Sequence, residues 1–179
     1  MGEGKISRRT FCKAVVASTL FPAGTVLAAN PSGRRQLRLH NIHTGEDLDI
    51  PNCTCGQYAP DAVRAINYFF RCHYTGEVME MDLSVVDLLC DIRQTVGAKG
   101  RIQIISGYRS PAYNDLLRRQ GRGVAKHSLH TRGLAIDFAV PGQSTRRLAA
   151  AAESFSLGGV GIYPDFVHID SGRVRRWIG

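Results

Sequence analysis

The stretch Ser128-Leu129-His130-Thr131-Arg132-Gly133-Leu134-Ala135-Ile136-Asp137 constrains this chain more than any other. From Leu134 onward it alternates, with Ala135, Asp137 and Ala139 on one face of a strand and Leu134, Ile136 and Phe138 on the other, in the core. Phe166-Val167-His168-Ile169-Asp170 alternates in the same way, and His168 projects between core residues. Both segments are expected to be strands that meet in one sheet, with Asp137 and His168 pointing in the same direction. Seven extended residues span up to about 23 Å, so His130 nears Asp137 only if the chain bends between them, and Gly133 permits the bend. A fold that joins the two segments brings together His130, Asp137 and His168. Two imidazoles and one carboxylate suit a catalytic zinc ion with a fourth position left to water.

A zinc held in this way lowers the pKa of its water towards about 7 and polarises a carbonyl, which is what amide hydrolysis needs. A proton acceptor is needed as well. Asp165, three residues before His168 and set in a turn by Pro164, is the first candidate; on a regular strand that offset points away from the metal, and Asp170 is then better placed. Arg109, at the end of a buried strand, is positioned to hold a developing oxyanion or a substrate carboxylate. Ser128 lies two residues before His130 on the same side of an extended chain, where it bonds substrate or orients a ligand. His127 faces the other way and is not expected as a ligand. His40 and His43, three apart on a strand, fall on opposite faces and read as structural or exposed.

The remaining elements follow from periodicity and punctuation. Residues 37–43 alternate as a strand, 44–47 turn, and 48–50 complete a hairpin. Pro60-Asp61 opens a helix that ends near Tyr74, and Asp82-Leu83-Ser84 starts a second, closed by Gly97 and Gly100, with the two helices packing on each other. Residues 101–108 form a buried strand, Pro111 begins a helix through Leu117, and the loop Gln120-Gly121-Arg122-Gly123 borders the site. Ser144 caps an alanine-rich helix, and residues 160–163, 166–170 and 173–177 are three closing strands suited to antiparallel hairpins.

With 179 residues and 44% hydrophobic content, the chain supports one domain with a core. Residues 1–29 run from Ser7-Arg8-Arg9-Thr10-Phe11-Cys12-Lys13 into an apolar stretch ending Val26-Leu27-Ala28-Ala29. Ser18, Thr19, Pro22, Gly24 and Thr25 make that stretch too weak and too short for a stable membrane span, and its small-residue end suits cleavage. It reads as an export signal of the twin-arginine type, engaging the twin-arginine export machinery. Residues 30–36 form a flexible lead-in, and residues 37–179 the catalytic domain. An exported chain meets an oxidising compartment, so Cys53, Cys55, Cys72 and Cys90 are expected to form two disulfides. Bridges from helix to helix or loop to helix are favoured, because a Cys53–Cys55 ring is strained; a thiolate metal site is the weaker alternative. The net charge of +8 falls to +5 once the four cations and one carboxylate of residues 1–28 are set aside, and such a charge does not itself choose between partners.

Ser-x-His-x-x-Gly-x-Ala-x-Asp at 128–137, His168 and Ser106-Gly107-Tyr108-Arg109-Ser110 together resemble the zinc D,D-peptidases of the hedgehog/D-Ala-D-Ala peptidase fold. Ile42-His43-Thr44-Gly45-Glu46, Gly123-Val124-Ala125-Lys126 and Gly158-Gly159-Val160-Gly161 are similar, within them, to the murein endopeptidase K-like family. The resemblance implies an α+β fold with a central, mainly antiparallel sheet and flanking helices, and one Zn2+ bound by His130, Asp137 and His168. It implies a periplasmic enzyme that hydrolyses D-amino-acid peptide cross-links of peptidoglycan, with no nucleic-acid partner. An acidic residue three before the last histidine serves that family as base, a position Asp165 occupies. The four cysteines depart from the family and suggest an added brace. Arg118, Arg119, Arg122 and Lys126 would attract acidic stem peptides. The alternatives are a D,D-carboxypeptidase that trims terminal D-alanine and a non-catalytic, metal-bearing wall-binding module.

Overall fold

The computed structural model of the chain describes residues 36–51 and 57–179. The export segment 1–29, nearly all of the lead-in and Cys53 and Cys55 lie outside the described residues. Within them the chain runs β1 (Leu37–Asn41), β2 (Asp47–Ile50), α1 (Pro60–Phe69), α2 (Leu83–Thr95), β3 (Ile102–Ser106), α3 (Pro111–Arg119), β4 (Ala135–Ala139), α4 (Thr145–Glu153), β5 (Gly159–Ile162), β6 (Val167–Asp170) and β7 (Arg175–Ile178). The strands form one seven-stranded sheet in the order β2-β1-β3-β4-β6-β5-β7. Pairing is antiparallel except between β1 and β3 and between β5 and β7, so the chain is an α+β protein with a mainly antiparallel sheet.

The alternation that predicts β1, β3, β4 and β6 also builds the core. Leu37 and Leu39 on β1, Ile102 and Ile104 on β3, Ile136 and Phe138 on β4, and Val167 and Ile169 on β6 are all buried. Each apolar side chain fully buried in this layer contributes about 1.5–3 kcal/mol relative to exposure. The helices cover it unequally. α2 buries Val85, Val86, Leu88, Leu89 and Ile92, and α4 adds Leu148, Ala149, Ala151 and Ala152. The expected pairing of the first two helices is not a main contact of either. α1 packs on β2, while α2 packs on β1 and α4, whose small alanines let it approach closely.

Other expectations are corrected at the ends of elements. α1 stops at Phe69 rather than near Tyr74, because the Phe70 carbonyl accepts the Tyr108 N–H at 2.8 Å and is drawn out of the helix. Gly107 makes this approach possible, since a Cβ there would lie 2.7 Å from the Phe70 ring. Of the three closing strands, β7 does not form a hairpin with β6. It runs parallel to β5 on that strand's outer edge, with Gly161 opposite Trp177, and a Cβ on Gly161 would lie 2.5 Å from the indole. Cys72 and Cys90 are both buried, and no disulfide joins them. The Cys72 sulfur instead lies 3.6 Å from Ser110 Oγ, so the helix-to-helix bridge is absent; the buried thiol packs as a small apolar group.

His40 and His43 take the non-ligand places expected of them. His40 Nδ1 lies 2.8 Å from Asp47 Oδ1 across the hairpin, while His43 stacks on His73 with ring centroids 4.0 Å apart. His73 also meets Tyr113 edge-on at 5.1 Å. Burial first, then the neighbouring His43 and Arg109, push the His73 pKa down from 6.5 to about 4. Between those values the unfolded chain binds a proton that the folded chain refuses, so stability rises with pH across that window and is lost as pH falls through it. Thermal midpoints recorded from pH 7 to pH 4 are expected to fall more steeply for the wild type than for His73→Phe. Equal slopes would remove His73 from this account.

Candidate metal centre

The site is assembled along one row that crosses the sheet. Ser106 on β3 pairs with Asp137 on β4, Asp137 with His168 on β6, His168 with Gly161 on β5, and Gly161 with Trp177 on β7. His130 joins from outside the sheet. The segment before Asp137 is not one continuous strand, because Leu129–Arg132 form a single 3-10 turn. Gly133 then takes φ 70°, a left-handed conformation natural to glycine. A Cβ there would lie 2.3 Å from the Glu80 carbonyl oxygen, so the bend the spacing calls for is built with no room for a side chain.

Asp137 Oδ1 lies 2.8 Å from His168 Nδ1 and 3.2 Å from His130 Nε2, and the two nitrogens are 3.2 Å apart. All three residues are buried, at 3–8% exposure. Donors about 2.0–2.1 Å from a tetrahedral zinc lie about 3.3 Å from one another, so the triangle is only slightly tighter than a shared ion requires. Its chemistry fits as well. His130 Nδ1 donates to the Gly107 carbonyl at 2.7 Å, which leaves the Nε2 lone pair facing the cluster.

Electrostatics bind the group together. Burial alone would raise the Asp137 pKa, but His130 and His168 outweigh it and hold the carboxyl well below its usual range. Burial lowers the His130 pKa and Asp137 only partly opposes this. For His168 burial pulls downward too, yet hydrogen bonds with Asp137 and Asp170 win and raise it.

Above the triangle lies a cavity of about 400 Å³. Arg109, Arg122 and Arg175 line it with Ser128 and His127, while Tyr163, Phe166 and Trp177 form its aromatic side. Arg109 is 7% exposed. Its Nη2 is 3.6 Å from Asp137 Oδ2 and 3.3 Å from Ser106 Oγ, and its Nη1 is 3.3 Å from Asn114 Oδ1. Its Nε is buried with no hydrogen-bond partner among the described residues.

Of the residues singled out in the sequence, His130, Asp137, His168, Arg109 and Ser128 converge on this cavity. Asp165 does not join its wall. It is exposed in the β5–β6 turn, between the wall residues Tyr163 and Phe166. Asp170 lies completely buried beside His168. Burial would raise its pKa, but His168, Arg175 and two backbone N–H groups hold it far below the usual range. Arg118 and Arg119 line a separate depression with Asp115. Sequence reasoning missed Trp177, Tyr163, Phe166 and Arg175, and turned His127 away from a cavity that it lines. The one signal available was the lone tryptophan on a short strand facing a glycine-rich one, and its place depends on a parallel pairing that short strands do not announce.

A buried carboxylate and two imidazoles at the floor of an arginine- and aromatic-walled cavity form a group that could hold a metal ion, the kind of centre used by metal-dependent hydrolases. The family described as peptidoglycan L,D-endopeptidase MepK matches residues 29–177. The chain is 35% identical over 164 residues to peptidoglycan L,D-endopeptidase MepK of Escherichia coli (strain K12), covering 90% of each chain. A Haemophilus influenzae protein named "Probable peptidoglycan L,D-endopeptidase MepK" is also 35% identical over 164 residues, covering 90% of this chain and 88% of its own. The chain belongs to this family and is a peptidoglycan endopeptidase.

Proposed function

We propose that this endopeptidase is an exported zinc enzyme that hydrolyses an internal amide bond between an L- and a D-configured residue of peptidoglycan cross-links. The observation that carries the reading is the triangle of His130, Asp137 and His168, whose donor set and spacing suit zinc. The bond type comes from the names of the relatives. When bound, zinc supplies Lewis-acid chemistry, acidifying water and polarising an amide carbonyl. Every other task falls to the chain. Arg109 offers buried N–H groups to the oxygen on which negative charge develops, in a site where burial strengthens such bonds. Arg122 and Arg109 attract the acidic stem peptide, Ser128 donates to its backbone, and the aromatic side of the cavity excludes water. Asp165, which lies outside the cavity wall but between two residues that form it, Tyr163 and Phe166, is assigned the proton.

The same reading places the sheet in the hedgehog/D-Ala-D-Ala peptidase fold and the enzyme in the periplasm, delivered by residues 1–29 through twin-arginine export. No helix among the described residues is long and apolar enough to cross a membrane.

The test is digestion of defined cross-linked muropeptide dimers, containing either L,D or D,D linkages, by the mature chain with zinc or with a chelator. L,D-linked dimers are expected to fall to monomers only with zinc. Release of terminal D-alanine without loss of dimers would make the chain a carboxypeptidase, and unaltered dimers a binding module. Asp165→Asn in the same assay should reduce kcat; an unchanged kcat would transfer proton removal to His127, which lines the cavity.

A further inference from the structure

We infer that Asp170, held by Arg175, is a positioning residue that fixes which imidazole nitrogen of His168 faces the metal centre; the inference rests on the zinc reading above. Asp170 is 0% exposed. Its Oδ1 accepts from Gly159 N–H at 3.0 Å, Gly172 N–H at 2.8 Å and Arg175 Nη1 at 3.0 Å. Its Oδ2 accepts from Arg175 Nη2 at 2.6 Å and from His168 Nε2 at 3.1 Å. A carboxylate has about four lone-pair sites, so these donors leave none for an attacking water. Asp170 is therefore not the proton acceptor that its position in the sequence allows.

Its effect on His168 follows from hydrogen-bond chemistry alone. A carboxylate only accepts, so Asp170 holds a ring hydrogen on Nε2; Nδ1, which lies 2.8 Å from Asp137 Oδ1, is then the nitrogen that would give up its hydrogen and turn a lone pair to an ion shared with Asp137 and His130. His130 reaches the equivalent state through the Gly107 carbonyl, using its opposite nitrogen. One histidine is locked by backbone and the other by a side chain, and only the second lock is removable by substitution.

The surroundings are shaped around this carboxylate. A Cβ on Gly159 would lie 2.5 Å from Oδ2, one on Gly172 would lie 2.9 Å from Oδ1, and one on Gly158 would lie 1.8 Å from the Asp170 carbonyl oxygen. An ion pair kept for stability needs Arg175 alone. It needs neither a glycine cradle nor an oxygen turned to a ligand's outer nitrogen.

Asp170→Asn preserves size but leaves one acceptor oxygen, which cannot serve both Arg175 and His168. Zinc affinity by chelator competition is expected to fall 10–100-fold, in a variant that still unfolds cooperatively in chelator. A nitrogen-15 spectrum of the zinc-loaded wild type should show the His168 hydrogen on Nε2. That measurement needs no variant and decides the matter should Asp170→Asn fail to fold. A folded variant that binds zinc as tightly as wild type, or a wild-type ring without hydrogen on Nε2, overturns the inference. A wild type that binds no zinc overturns the zinc reading and the inference with it, a result distinct from the other two because both leave wild-type binding intact.

Discussion

His168→Ala is expected to abolish turnover in a chain that remains folded. The substitution removes one of three donors from the triangle, leaving His130 and Asp137 to hold an ion alone. It also removes the partner of Asp137 Oδ1 at 2.8 Å and of Asp170 Oδ2 at 3.1 Å. Loss of at least about a thousandfold in kcat/KM, on the order of 4 kcal/mol of barrier, is the scale anticipated. The cost to folding is smaller. His168 sits at the cavity floor rather than in the apolar layer formed by Ile136, Phe138, Val167 and Ile169, and Arg109 and Arg175 still balance the two carboxylates. Losing its hydrogen bonds costs about 1–3 kcal/mol. Three measurements on one preparation decide the matter: dimer hydrolysis, zinc content and thermal unfolding. Wild-type turnover in the variant would end the ligand assignment.

Arg109→Lys is the second large effect and the more discriminating one. Lysine keeps the positive charge near Asp137, so the buried carboxylate is not stranded as it would be by alanine. It lacks the planar fork that reaches Asn114 and Ser106 together, and the buried Nε–H disappears. If those N–H groups serve charge that develops during bond cleavage, kcat should fall about 10²–10³-fold with a much smaller change in KM. If Arg109 instead only anchors a substrate carboxylate, KM should rise and kcat should hold. A variant with both constants near wild type would return Arg109 to the role of a structural bridge between β3 and the turn carrying His130, which its own N–H makes at 3.1 Å to the His130 carbonyl.

What could be read in advance divides along physical lines. β4 and β6 were legible because alternation is a local property, and a one-residue slip would expel Ile136 and Phe138 from the core. The bend at Gly133 was legible because chain length forbids a straight path. The cap at Ser144 and the helix start at Asp82 follow from local hydrogen bonding and stand where the residues predicted them, whereas the cap that Ser110 makes on α3 was read only as a turn. By contrast, the end of α1 depends on a bond from Tyr108 to Phe70, thirty-eight positions apart, which no local pattern records. The parallel seat of β7 beside β5 is equally non-local, and with it went Trp177 and Arg175. Asp170 shows the limit most clearly. The sequence alone leaves a carboxylate two residues after a ligand open to several roles, and only its ring of donors separates them.

The place of β7 also bears on when the enzyme becomes competent. Arg175, which grips Asp170, and Trp177, which walls the cavity, are translated after every other strand of this sheet. Until β7 docks on β5, the hairpin of β5 and β6 presents a cavity with one side open and a histidine whose clamp is half built. The site is thus finished only when the strand at the sheet's outer edge takes its place, after the segments that carry the ligands have already met.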